Sequence, residues 1–192
     1  MSAQLAPARM TVEEFLDWAD ARDDDGRYEL DDGVVIAMAP ERIVHARTKF
    51  AISRVLADTV ARAGLPCEVF VEGPGIWIDR ATSYQPDVII QCGPRLPGDA
   101  RFVDRPVVIV EILSPSTAYR DLGRKARNYF RVESVAHYLV VDPDDRIVSH
   151  RRRGEGGAVV SEDLSAGELI LDPPGLRIPV ADLLPPSGAE GT

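Results

Sequence analysis

Apolar side chains recur at helical spacing in two segments near the start of the chain. The first predicts a short helix over residues 12–21, opened by a Thr-x-x-Glu capping box. The second predicts the longest helix of the chain over residues 42–63, which Gly64 ends. Between the two helices, short apolar runs flank Asp32 and Gly33, and an Asp-Gly pair in this setting indicates a β-hairpin.

The middle and the end of the chain follow a strand-like pattern. Runs rich in β-branched residues, separated by Pro and Gly, predict strands over 68–71, 75–78, 87–90, 106–113, 136–141 and 146–151. A basic helix that ends near residue 132 interrupts them, and short strands with a final turn near residue 184 complete the chain. The most apolar runs, 87–90 and 106–113, predict buried central strands. The order of elements therefore predicts an α/β fold with a mixed central sheet.

Length and composition indicate one soluble domain. We predict that the 192-residue chain forms a single domain over 11–184, with flexible segments at 1–10 and 185–192. No apolar run approaches the ~20 residues that span a bilayer, and no signal-peptide pattern opens the chain, so we expect a cytoplasmic protein without a membrane partner. Cys67 and Cys92 form no CxxC pair and are expected to be free thiols.

The charge of the chain is negative overall and unevenly spread. The net charge of −9 argues against attraction of nucleic acid by the overall field. Residues 20–32 hold seven acidic and two basic side chains, which we interpret as a solvated face. Residues 120–131 hold five basic side chains and one acidic side chain. A polyanion such as nucleic acid would therefore have to bind at a local basic segment of this kind.

Two carboxylates interrupt the most apolar strands. Asp87 opens one predicted strand and Glu111 lies near the end of the other. An unpaired buried carboxylate is costly, so such a group is expected to be paired, hydrogen-bonded or bound to metal. If the two strands are antiparallel neighbours, the carboxylates meet at one edge of the sheet. Two carboxylates with a backbone carbonyl are ligands that Mg²⁺ or Mn²⁺ prefers.

The basic helix offers further candidates, with two interpretations. Asp121, Lys125 and Tyr129 share one helical face. A lysine beside a carboxylate–metal cluster stabilises the charge that develops on a phosphate. Alternatively, Asp121 and Lys125 form a solvent-exposed ion pair, which helix spacing alone favours.

Other polar residues carry weaker signals. Glu29 lies between apolar neighbours, and His45 lies four residues before Lys49 on the second predicted helix. A lone helical histidine is more often structural than functional. Ser114 lacks the Gly-x-Ser-x-Gly setting of a hydrolase nucleophile, and a helix-capping role explains it.

The ordered set of these residues resembles the Uma2 family of restriction-endonuclease-like proteins, which have the PD-(D/E)xK nuclease fold. The resemblance runs from about residue 11 to 184. It rests on Arg27-Tyr28-Glu29-Leu30-x-x-Gly33, Pro40, His45, Pro86-Asp87-Val88, Val110-Glu111-Ile112-Leu113-Ser114-Pro115-Ser116-Thr117, Asp121, Lys125, Tyr129 and Tyr138-Leu139-Val140-Val141-Asp142-Pro143. It implies a restriction-endonuclease-like mixed central β-sheet flanked by helices.

The resemblance also implies roles for the residues of the two central strands. Asp87 and Glu111 match the metal ligands of the PD-(D/E)xK pattern, with the Ile112 carbonyl as a third ligand. The lysine expected two residues after Glu111 is absent, because Leu113 stands there. The resemblance implies that Lys125 takes its place from the following helix.

The implied roles of the remaining residues are less direct. Glu29 and His45 match outer ligands or proton carriers, while Asp121 and Tyr129 match residues that support the site. The basic side chains that flank the site and are expected to meet nucleic acid are Arg120, Arg124, Arg127 and Arg131.

The function implied by the resemblance is a Mg²⁺-dependent (or Mn²⁺-dependent) endonuclease. It hydrolyses phosphodiester bonds of nucleic acid, with DNA as the expected form, and acts as a homodimer. The alternative is a non-catalytic member of the same fold that binds nucleic acid or a protein partner.

Overall fold

The apolar pattern forms the strands and helices of a mixed α/β domain. A computed structural model of the protein describes residues 9–24, 26–113 and 120–184, with side chains undescribed at 120–122. The helices are α1 (Val12–Asp20), α2 (Ile43–Ala63), α3 (Arg120–Tyr129) and α4 (Val180–Leu183). The strands are β1 (Tyr28–Asp31), β2 (Val34–Ala37), β3 (Cys67–Val71), β4 (Ile76–Asp79), β5 (Thr82–Tyr84), β6 (Val88–Cys92), β7 (Pro106–Ile112), β8 (His137–Asp142), β9 (Ile147–Arg153), β10 (Val159–Leu164), β11 (Glu168–Leu171) and β12 (Leu176–Pro179).

A six-stranded central sheet carries helices on both faces. Its strand order is β10-β9-β8-β7-β6-β3, with β7 and β8 parallel and the other pairs antiparallel. Ile52 and Leu56 of α2 belong to the same buried cluster as Val110 of β7, and Tyr129 of α3 clusters with Tyr138 on the opposite face. This architecture confirms the predicted α/β fold. None of the helices among the described residues has the length and apolar character needed to cross a bilayer.

A second sheet, β2-β1-β5-β4, supplies part of the candidate site. The predicted hairpin forms its outer pair, and Asp32 (φ 49°) and Gly33 (φ 77°) make the left-handed turn that an Asp-Gly pair favours. Strand β5 was not predicted, because its three residues carry polar side chains. They are buried because β5 lies between β1 and β4.

The central strands place the two sequence-predicted carboxylates at facing ends. Strands β6 and β7 are antiparallel neighbours, with Val88 opposite Val110. Asp87 directly precedes β6, and Glu111 is the penultimate residue of β7. The prediction that these strand ends are adjacent is therefore confirmed.

Three expectations need correction. Cys67 and Cys92 are not free thiols but form a disulfide between β3 and β6, since the strand register places them opposite each other with 4.0 Å between Cα atoms. The acidic stretch is not wholly solvated, because Glu29 and Asp31 are each only 5% exposed. Met10, assigned to the flexible N-terminus, is buried, and its N–H donates to the Gly33 carbonyl at 2.8 Å.

Some expectations fall outside the described residues. They concern the flexibility of 1–8 and 185–192 and the helix-capping role of Ser114. The basic helix ends at Tyr129, three residues before the expected end.

Candidate active site

The carboxylate of Asp87 is fixed where β6 and β7 meet. Asp87 Oδ2 accepts a hydrogen bond of 2.8 Å from the backbone N–H of Ile112. His45 reaches the same point from α2, with Nε2 lying 3.2 Å from Asp87 Oδ2 and 3.1 Å from the Ile112 carbonyl oxygen. A carboxylate oxygen, a carbonyl oxygen and an imidazole nitrogen therefore converge at one buried position.

A network of ion pairs, here called the α2 cluster, surrounds Asp87 on one face of the sheet. It comprises Glu41, His45, Lys49, Glu72 and Asp87. The Lys49 ammonium group lies 2.5 Å from Glu41 Oε1, contacts Glu72, and lies 3.4 Å from Asp87 Oδ1. Glu72 has φ of 50°, a conformation that costs a non-glycine residue about 1–2 kcal/mol. The surrounding ion pairs and its 3.2 Å hydrogen bond to the Asp87 carbonyl hold it there.

A second network, the α3 cluster, surrounds the neighbouring carboxylate. It comprises Glu29, Glu111, Lys125 and Tyr129. Lys125 Nζ lies 2.9 Å from Glu29 Oε1 and 3.1 Å from Glu111 Oε1. The Tyr129 hydroxyl donates to Glu111 Oε1 at 2.7 Å, and the backbone N–H of Gln85 donates to Glu29 Oε1 at 3.0 Å. Side chains from three separate elements thus meet around one ammonium group.

Tyr84 connects the α3 cluster to the second sheet. Its hydroxyl donates to Asp31 Oδ1 at 2.8 Å and accepts from the Asn128 amide at 2.7 Å. Its ring lies 5.2 Å from Lys125 Nζ, a cation–π contact. Arg124 forms an ion pair with the buried Asp31. These contacts fix the face of α3 that carries Lys125.

The α3 cluster contains two carboxyl groups and one ammonium group. Burial, assisted by the charges of Asp87 and Glu29 and opposed by the charge of Lys125, raises the pKa of Glu111 to about 7. Burial lowers the pKa of Lys125, but the charges of Glu111 and Glu29 outweigh it, so that pKa is raised. The surplus of carboxylates favours an additional cation.

In the α2 cluster, the pKa shifts of His45 and Glu41 both favour the charged form of the side chain. Burial lowers the pKa of His45, but its contacts with Asp87 and Glu41 outweigh burial and raise it. Burial raises the pKa of Glu41, but hydrogen bonding, above all from Lys49, lowers it to about 2. Glu41 is therefore a carboxylate at neutral pH.

The donor set fits a divalent cation. Glu41, His45 and Asp87 each offer a ligand atom, and these atoms lie within 4.8 Å of one another. The separations of 3.1 and 3.2 Å from His45 Nε2 to the Ile112 carbonyl and Asp87 are hydrogen-bond distances, so a cation bound by all three groups would replace the proton on Nε2. Glu111 adds a further carboxylate, whose pKa the Asp87 charge raises.

Comparison with known proteins places this chain in a family. The family model described as "Uma2: Putative restriction endonuclease" matches residues 12–181. The chain belongs to the Uma2 family. This membership confirms the resemblance seen in the sequence, and the matched range contains both clusters.

Individual relatives agree with this membership. Two proteins of Synechocystis sp., both described as uncharacterized, are 30% identical: slr1290 over 134 residues (69% of this chain and 68% of that protein) and sll1609 over 124 residues (63% and 69%). A solved structure from Anabaena variabilis, described as "a putative nuclease belonging to DUF820", has a TM-score of 0.72 at 18% identity. It covers 91% of this chain and 97% of that chain, and shows a shared fold.

Most sequence-predicted site residues of this Uma2 protein come together. The structure brings seven of them to the ends of β6 and β7: Asp87, Glu111, Ile112, Lys125, Glu29, His45 and Tyr129. The interpretation of Lys125 as half of an exposed pair is wrong, because its side chain is 17% exposed and contacts Glu29 and Glu111. The side chain of Asp121 lies outside the described part of the chain.

The basic residues of α3 have different surroundings. Arg124 pairs with Asp31, and Arg131 Nη1 lies 2.7 Å from Asp79 Oδ2. Arg127 is exposed and forms no ion pair with a described residue. The side chain of Arg120 is outside the described residues.

Glu41 and Glu72 of the α2 cluster were not singled out in the sequence, and Lys49 was noted only for its spacing from His45. Glu41 and Lys49 lie four residues before and after His45, a spacing that places all three on one side of a helix start. This spacing was a usable signal. Glu72 follows β3 and meets Lys49 only through the fold, so no local pattern indicates it.

Proposed function

We propose that this Uma2 protein is a metal-dependent nuclease that hydrolyses phosphodiester bonds of nucleic acid, with DNA as the expected substrate. The observation that carries the proposal is the meeting of Asp87, Glu111 and the Ile112 carbonyl at adjacent strand ends, with Lys125 delivered to Glu111 from α3. Carboxylates beside a lysine form the charge arrangement that such hydrolysis requires.

Asp87, Glu111 and the Ile112 carbonyl are proposed to hold Mg²⁺ or Mn²⁺, with His45 as a neighbouring donor. A bound ion of this kind lowers the pKa of water and polarises a phosphate oxygen. The ammonium group of Lys125 stabilises negative charge that develops on the phosphate.

Other residues orient these groups. Glu29 holds Lys125 in place through its 2.9 Å contact, and the Tyr129 hydroxyl orients Glu111 by donating a hydrogen bond to it. His45 contacts both Asp87 and Ile112, and its raised pKa suits it to carry a proton. Asp121 is proposed to support Lys125 on the same helix.

The surface beside the site is proposed to meet the phosphate backbone. Arg127 is exposed, while Arg124 and Arg131 keep half-exposed side chains (48% and 55%) despite their ion pairs. Arg120 belongs to the same segment and completes the proposed set. DNA as the substrate, a homodimeric state and a cytoplasmic location stay predictions.

Calorimetric binding of Mn²⁺, followed by cleavage assays on DNA and RNA, tests the proposal. Asp87→Asn and Glu111→Gln each remove one carboxylate charge with little change of shape, and both are expected to weaken Mn²⁺ binding and abolish cleavage. Asp58→Asn is the matched control, since Asp58 is an exposed residue of α2. Equal binding by all four proteins would contradict the metal site, and a wild type that cleaves neither nucleic acid would contradict the nuclease.

A non-catalytic binding role is the second candidate. The observation in its favour is that the carboxylates already have cationic partners, namely Lys49 for Asp87 and Lys125 for Glu111 and Glu29. Under this alternative, the wild type binds nucleic acid without cleaving it, and Asp87→Asn leaves that binding unchanged.

A further inference from the structure

A cavity of about 310 Å³ lies beside the α3 cluster and has no part in the proposed chemistry. Aromatic side chains from three parts of the chain line it, namely Phe15 of α1, Tyr28 and Tyr84 of the second sheet, and Phe102. Its size lies at the lower end of the roughly 300–1,000 Å³ of small-molecule sites. Phe15 and Tyr84 are buried, so the partly exposed rings of Tyr28 and Phe102 are the surfaces that can meet a planar ligand.

Backbone hydrogen bonds hold together one wall of the cavity. The N–H of Gly75 donates to the Arg101 carbonyl at 2.8 Å, and the N–H of Val103 donates to the Gly75 carbonyl at 2.9 Å. A Cβ at position 75 would lie 3.0 Å from the Phe102 ring. Phe102 therefore packs closely against this segment, and a side chain at position 75 would require its ring to shift by a few tenths of an ångström.

Two residues that line the cavity also contact the candidate active site. Tyr84 lines the cavity, and its ring contacts Lys125 Nζ at 5.2 Å. Gln85 also lines it, while its backbone N–H holds the Glu29 carboxylate. The side-chain amide of Gln85 makes no hydrogen bond to a described residue, so its donor and acceptor remain available to a base edge.

We propose that this cavity binds an unpaired nucleobase of the substrate, next to the phosphodiester bond at the α3 cluster. The inference rests on the proposed function, since it takes nucleic acid as the substrate. Bases stack on aromatic side chains whatever their sequence, and the Gln85 amide recognises polar base edges. Because a base must leave its stack to enter, the preferred substrate is single-stranded or has an unpaired nucleotide.

Binding of two matched probes tests the assignment. One is a fluorescein-labelled oligothymidylate, and the other is an oligomer of the same length in which every base is replaced by an abasic tetrahydrofuran unit. Both carry the same phosphates, so any difference in affinity reports the bases. With Ca²⁺ in place of Mg²⁺, fluorescence anisotropy of the wild type is expected to give about 5- to 150-fold tighter binding of oligothymidylate, the range for one stacked base.

Two variants test whether the preference for oligothymidylate over the abasic oligomer arises in the cavity. Phe102→Leu keeps an apolar side chain but removes the stacking surface, and Leu16→Trp fills the cavity from α1. Both are expected to bring the ratio of the two affinities close to one. Phe50→Ala is the control, because Phe50 is 68% exposed on α2 and does not line the cavity, so the ratio stays that of the wild type. Thermal unfolding of each variant verifies that it is folded.

Three results would overturn the assignment: a wild type that binds the two probes equally, a wild type that binds neither, or a ratio that survives in both cavity variants. A separate cleavage assay keeps this outcome distinct from the proposed function. Cleavage without a base preference would refute the cavity assignment alone. A base preference without cleavage in Mg²⁺ or Mn²⁺ would refute the nuclease alone.

Discussion

The ammonium group of Lys125 lies 3.1 Å from the carboxylate of Glu111, although one residue belongs to helix α3 and the other to strand β7. The strand position two residues after Glu111 holds Leu113, which cannot supply a charge. Helix α3, which packs on the sheet, therefore places a lysine ammonium group where the strand itself has no cationic side chain. The position of a charge in space, rather than in the sequence, decides what the site can do.

Removing this cation is expected to destabilise the protein. Lys125→Met leaves Glu29 and Glu111 without their shared partner, and breaking a buried ion pair costs about 3–5 kcal/mol. The free energy of unfolding in urea, measured in metal-free buffer, gives this loss. Added Mn²⁺ should restore part of it, because a bound cation replaces the missing charge.

Arg127→Met is the matched control for this experiment. Arg127 lies on the same helix and is exposed, so its replacement should change the free energy of unfolding by no more than about 0.5 kcal/mol. Equal losses in the two variants would show that Lys125 has no special role in stability.

The sequence predicted the central part of this site because local patterns encode it. Apolar runs on either side of Asp87 and Glu111 indicated buried strands, and their adjacency follows from the antiparallel order of β6 and β7. The burial of Lys125 was not predicted by helix spacing, since its partners come from β1 and β7. The resemblance to a family corrected that interpretation where spacing alone could not.

Long-range pairings account for what the sequence did not predict. Cys67 and Cys92 lie opposite each other only because of the strand register between β3 and β6. His137 and His150 contact each other across β8 and β9. The cysteines lie opposite each other, whereas His137 lies opposite Arg152 and contacts His150 diagonally, and periodicity specifies neither pairing.

Two buried tyrosines provide a matched test of the α3 cluster. Tyr129→Phe removes the hydroxyl that donates to Glu111, and loss of such a supporting contact typically weakens metal affinity about 10- to 100-fold. Tyr138→Phe removes a buried hydroxyl that has no hydrogen-bond partner among the described residues, so it should leave affinity unchanged and not reduce stability. Calorimetry with Mn²⁺ measures both affinities. Equal affinities in the two variants would exclude a supporting role for Tyr129.

The disulfide is expected to stabilise the edge of the central sheet. Cys67 and Cys92 are separated by 25 positions, and closing a loop of this length stabilises a protein by about 3.5 kcal/mol. Unfolding in urea with and without a phosphine reductant measures this contribution. The double variant Cys67→Ala/Cys92→Ala should show no effect of the reductant. An equal effect on both proteins would mean that the reductant acts elsewhere.

We expect the buried histidine pair to lower the free energy of unfolding in mild acid. His137 Nδ1 lies 2.9 Å from His150 Nε2, and burial together with the His150 charge lowers the pKa of His137 to about 4. Burial also lowers the pKa of His150, although Glu162 opposes this. Histidine in the unfolded chain titrates near pH 6.5, so between about pH 6.5 and pH 4 the unfolded chain binds more protons than the folded one. The free energy of unfolding therefore falls as pH falls through that range, and His137 alone accounts for a decrease of up to about 3 kcal/mol. Urea unfolding across this range should show a smaller loss for His137→Gln, and identical pH dependence in both proteins would refute the prediction.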